Sequence, residues 1–149
     1  MSDRNALSQS FRTVESFIRA NLADLTDDHV HETTAPGASD AHWVLGHVVY
    51  WRSQLAGMLG GDPLWSADDY PEFRGVEKGD RPESLGRPFA ELVKDFDAVT
   101  ERLGDALDGA PDDPEVLGTA SFLALHEAYH AGQLGLFRRL AGLPGAVGQ

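Results

Sequence analysis

Residues 116–141 read VLGTASFLALHEAYHAGQLGLFRRLA, and within them Phe122, His126, Tyr129, His130, Gln133, Phe137 and Leu140 recur at three- and four-residue steps. That period belongs to one face of an α-helix. Gly142 and Pro144 follow and end it. Two members of this predicted inward stripe are histidines, one turn apart, where apolar residues would ordinarily stand.

The same period recurs upstream. Leu7, Phe11, Val14, Phe17, Ile18, Leu22 and Leu25 lay a stripe along a first helix at about 6–25. Ser39 or Asp40 offers the N-cap of a second helix, with Val44, Val48, Trp51, Leu55 and Met58 on its stripe and Gly60-Gly61 as its stop. Ser84 can cap a third, carrying Leu85, Phe89, Leu92, Val93, Phe96, Val99, Leu103 and Leu107. Four helices and no convincing strand predict an all-α four-helix bundle. Between the second and third helices, Gly61 to Pro82 is long enough to run the roughly 30 Å of a helix, which permits those two helices to lie parallel. Trp65, Tyr70 and Phe73 in this crossover either pin it to the bundle or mark it as a lid over a binding site.

At 149 residues with 42% apolar composition, the chain fits one domain, 1–149, with a single core. Its net charge of −12, spread along the chain, argues against nucleic acid as a partner. Neither a membrane-length apolar run nor a secretory signal is present, which predicts a cytoplasmic protein. With no cysteine in the sequence, histidine and carboxylate are the strong ligands left for a transition metal.

The histidines carry the chemistry. In HEAYH, residues 126–130, the two imidazoles sit about 40° apart on a helix, so His126 and His130 can reach one ion. His47 interrupts the stripe of the second helix between Val44, Val48 and Trp51. Buried imidazole needs partners, and one divalent ion would satisfy all three rings; core histidines bonded to Gln133, Tyr129 or backbone are the other reading. His42 lies roughly 140° around its helix from His47, and His29 and His31 fall in a loop, which makes them poorer ligands. Three protein ligands leave open positions, as catalytic sites do.

HEAYH also fits the HExxH pattern of zinc proteases, with Glu127 as general base. Beyond His130 there is no Asp, Glu or His to complete such a site, so Glu127 reads instead as a flank residue at its edge. No glycine-rich phosphate loop and no nucleophile elbow is present.

HWVLGHVVYW at 42–51 and HEAYHAGQLGLFRRLAGLPG at 126–145 resemble the second and final helices of the DinB/YfiT-like superfamily, the latter through H-x-x-x-H-x-G-Q. The resemblance implies a bundle in up-down-down-up order with a long crossover between helices 2 and 3. It implies a divalent ion, zinc or nickel, on His47, His126 and His130. It further implies a metal-dependent S-transferase or isomerase acting on a small-molecule substrate with a low-molecular-weight thiol, and a homodimer. A metal-dependent hydrolase using metal-bound hydroxide, and a stress-related metal- or ligand-binding module without turnover, are the alternatives.

Overall fold

The computed structural model describes residues 3–75 and 86–147. Its helices are α1 (Asp3–Leu22), α2 (Ala41–Met58), α3 (Phe89–Asp108) and α4 (Pro114–Leu140), with a 3₁₀ turn at Pro71–Phe73 in the crossover. No strand occurs among the described residues. Asp40 is the N-cap of α2, its carboxylate accepting from the Trp43 amide at 2.9 Å. Asp113 caps α4, with Pro114 in the first turn where a missing N–H costs nothing. The predicted Ser84 cap and Leu85 lie outside the described residues, and α3 begins at Phe89, directly after Pro88.

The direction of each helix follows from the company its ends keep. Leu7 and Phe11 early in α1 share an apolar cluster with Leu55 and Leu59 at the end of α2, Leu103 and Leu107 late in α3, and Leu117 and Ala120 early in α4. Val14 and Ile18 share the other cluster with Val44, Phe89 and Phe137. Helices α1 and α4 therefore run one way and α2 and α3 the other, in the order up-down-down-up. The parallel α2–α3 pair is tied near its start by His42 Nε2 and the Arg87 carbonyl (2.6 Å), at its middle by Arg52 and Thr100 (2.7 Å), and at its end by Asp62 and Arg102 (2.8 Å). The long crossover makes that parallel pairing possible.

One predicted face needs correction. On α4 the buried side consists of Leu117, Ala120, Ala124, Glu127, His130, Ala131, Leu134, Phe137 and Arg138. Phe122, Tyr129 and Leu140, read from the sequence as inward, are exposed, as are Phe17 on α1 and Met58 on α2. Helix α4 is apolar on two sides, so periodicity alone does not say which side meets the core.

Between the two apolar clusters sits a polar layer. Arg52 is 2% exposed and Glu127 is 6% exposed. Arg52 Nε and Nη2 reach Glu127 Oε1 at 2.9 and 2.5 Å, Nη1 donates to Thr100 Oγ1, and the guanidinium lies 4.9 Å from the Phe96 ring centre. One ion pair thus joins α2 and α4, with α3 closing the group.

Candidate metal centre

The local structure of α2 presents Trp43, His47 and Trp51 four residues apart, hence on one face. Their three ring N–H groups meet three consecutive carbonyls of the crossover. Trp43 Nε1 donates to Glu72 O at 2.9 Å, His47 Nδ1 to Phe73 O at 2.7 Å and Trp51 Nε1 to Arg74 O at 2.9 Å. Gly46 permits this approach: a Cβ there would lie 2.2 Å from the Phe73 ring, which packs directly over the glycine. Phe73 is fully buried, and Trp65 nearly so. Ser53 Oγ and Tyr50 OH donate to the Trp65 and Ala67 carbonyls, fixing the preceding stretch as well. The described part of the crossover is therefore a wall fastened to α2, with Trp65 and Phe73 as its pins. The rest of the predicted lid segment, 76–82, lies outside the described residues.

His126 and His130 project from α4 toward His47. His130 Nε2 stands 3.0 Å from His126 Nε2, His47 Nε2 stands 3.4 Å from the same atom, and the ligand atoms of all three lie within 4.8 Å of one another. A carbonyl can only accept, so His47 Nδ1 carries the proton, and Nε2 of the neutral ring is a lone pair aimed at its neighbours. His130 is oriented in the same way, its Nδ1 2.7 Å from Gln133 Oε1. Two lone pairs thus converge on one further imidazole nitrogen. A single N–H on His126 could satisfy only one of them, whereas a cation at the centre would satisfy all three.

The rings are also held neutral. Burial lowers the His47 pKa to about 4, opposed by the bond to the Phe73 carbonyl and reinforced by His130 and His126. Burial lowers those of His126 and His130 as well. Neutral imidazole is the form that binds a metal, so the donor set fits a divalent ion.

Around the triad, Trp43 stacks on His47 with centroids 4.5 Å apart, and Tyr129 meets His130 edge-on at 5.2 Å. Phe122 stacks on His126 at 6.2 Å. His47 and His130 are buried while His126 is partly exposed, so the site opens beside His126. The other histidines stand apart from it: His42 bonds the Arg87 carbonyl, His29 bonds Thr26, and His31 contacts Asp40.

Glu127 is not the edge residue that its sequence position suggested. It points away from the triad into the bundle, and both contacts of its Oε1 are to Arg52. Its burial raises the carboxyl pKa, with Arg52 opposing. A carboxylate held in this way does not serve as the general base of a protease. Arg52 and the crossover carbonyls went unread in the sequence. The W-x-x-x-H-x-x-x-W spacing was the available signal, since three N–H rings on one buried face require three acceptors.

The sequence model of the DinB superfamily matches residues 10–134. The chain belongs to the DinB superfamily. The match covers α1 from Ser10 onward, all of α2 and α3, and α4 as far as Leu134, including all three histidines of the triad. No curated protein matches the chain. As in the sequence reading, no helix among the described residues of this DinB-superfamily member is long and apolar enough to cross a membrane.

Proposed function

We propose that this protein holds one divalent ion, zinc or nickel, on His47, His126 and His130, and acts in the cytoplasm as a metal-dependent transferase that uses a low-molecular-weight thiol on a small-molecule substrate. The observation that carries the reading is the convergence of three Nε2 atoms within 4.8 Å, two of them fixed as lone pairs by the carbonyl oxygens of Phe73 and Gln133. Such an ion, when bound, supplies Lewis acidity that lowers the pKa of a thiol or water reaching it.

The chain's own residues do the rest. The Phe73 carbonyl and Gln133 orient two of the ligands, as partners of this kind do in metal sites. Trp43 covers one side of His47 and keeps water from it. Phe122 and Tyr129 give the open side an apolar rim suited to the carbon skeleton of a substrate. The nucleophile must come from outside, because the chain has no cysteine.

Hydrolysis, with water as the attacking group, is the second reading. It is less favoured because Glu127, the carboxylate next to His126 in the sequence, faces away from the triad and is bound to Arg52.

Titration of the cobalt-loaded protein with small thiols separates the two. The transferase reading expects the visible spectrum to shift on addition of thiol. A spectrum unmoved by any small thiol, together with turnover that needs none, overturns it in favour of hydrolysis; a coordination sphere with no exchangeable position leaves a binding module.

A further inference from the structure

Helix α4 has little at its middle to hold it in place by shape. Between Leu117 and Leu134 its buried residues are Ala120, Ala124, Glu127, His130 and Ala131, so Glu127 and His130 are the only long side chains buried there. Alanine makes shallow ridges, and a face built from it can rotate or slide against its neighbour at little cost in packing. A small void beside His126, lined by Trp51, Arg52, Leu123 and Glu127 among others, lies at the same level. A metal site tolerates no such play, since its ligands must hold within about 0.5 Å and 10–20°.

The Arg52–Glu127 pair supplies the missing constraint. Among the described residues, the polar contacts between α2 and α4 are those of the triad and those of this pair. Arg52 follows His47 on α2 by five residues, and Glu127 follows His126 directly on α4, so both partners ride on the backbones that carry the ligands. The guanidinium is itself fixed from α3, by Thr100 Oγ1 at 2.7 Å and by the Phe96 ring. Two N–H groups converging on one buried carboxylate oxygen are directional in a way that apolar contact is not.

We propose that Arg52 and Glu127 are positioning residues of the metal centre, a role that rests on the metal-binding reading of the triad. Their pair fixes the rotation and height of α4 against α2 at which His126 and His130 meet His47, and so sets metal affinity. Such a role separates two effects that a purely structural pair would join, because an apolar replacement can restore the stability of a buried ion pair without restoring its direction.

Three readouts on folded variants test this together: cobalt affinity by competition with a chelator, the visible spectrum of the cobalt-loaded protein, and the denaturation midpoint. Arg52→Met with Glu127→Leu should recover much of the midpoint but bind cobalt about 10- to 100-fold more weakly, with an altered spectrum. Glu127→Gln, which keeps an acceptor of the same length for Arg52, should lower the midpoint yet bind with nearly wild-type affinity and spectrum. Arg52→Lys decides the matter if the double variant does not fold: it keeps the charge but not the fork that reaches Glu127 and Thr100 at once, and should weaken cobalt binding. Wild-type affinity and spectrum in the double variant or in Arg52→Lys, or affinity that merely follows the midpoint across the set, would overturn the inference alone. A wild-type protein that takes up no cobalt would overturn the metal reading, and the inference with it.

Discussion

His47 Nδ1 donates to the carbonyl oxygen of Phe73 at 2.7 Å, and this bond couples the crossover to the chemistry of the triad. It fixes the tautomer whose Nε2 faces His126, and it exists because Phe73 can lie on Gly46. Gly46→Ala would put a Cβ into the Phe73 ring. Overpacking of this kind costs about 1–3 kcal/mol. The expected result is a lower Tm in denaturation and weaker metal binding by competition with a chelator. Unchanged affinity in a folded Gly46→Ala protein would show that the crossover does not set the ligand.

The Arg52–Glu127 pair makes a different demand. Removing one partner strands the other charge in the core, at about 3–5 kcal/mol. Glu127→Ala and Arg52→Ala should each lower the denaturation midpoint strongly, while Arg52→Met with Glu127→Leu should recover most of the loss. If the single variants unfold like wild type, the pair is not the buried link between α2 and α4 described above.

Acid should destabilise the metal-free protein before it affects ordinary surface groups. In the unfolded chain His47 titrates near its usual 6.5, whereas in the fold burial lowers it to about 4. Below pH 6.5 the unfolded state therefore binds a proton that the native state does not. Stability falls as pH drops from 6.5 to 4, by about 3 kcal/mol from His47 alone, and levels off below 4. Denaturant melts of chelator-treated protein across that range test this. A His47→Phe variant should show a shallower slope, and an equally steep one would assign the effect to other groups.

His42 resembles His47 in sequence but differs in its surroundings. Its Nε2 donates to the Arg87 carbonyl at 2.6 Å, and its buried Nδ1 has no hydrogen-bond partner among the described residues. His42→Phe should cost about 1 kcal/mol from the lost bond and leave the bound metal unchanged. Loss of metal in that variant, measured on folded protein, would place His42 in the site after all.

The bundle was legible because α1 and α3 each bury one stripe, because α2 is apolar enough to be buried on nearly all sides, and because glycine, proline and aspartate mark helix ends. The crossover's length already permitted the parallel α2–α3 pair. The triad was legible because histidines interrupt two apolar runs. What escaped was long-range. Glu127 could not be read as buried, since its partner Arg52 lies 75 residues away in the chain. The outward turn of Phe122 and Tyr129 was hidden because α4 carries apolar side chains on both faces. The Phe73 carbonyl could not be found, since backbone acceptors leave no mark in a sequence.

The central claim is that His47, His126 and His130 together hold one divalent ion. Elemental analysis after loading with zinc or nickel and desalting tests it, with His47→Ala, His126→Ala and His130→Ala confirmed as folded and measured in parallel. The account predicts about one ion per wild-type chain and almost none in each variant. A folded wild-type protein that retains no ion, or variants that retain it fully, would contradict the claim and leave the three histidines as core residues.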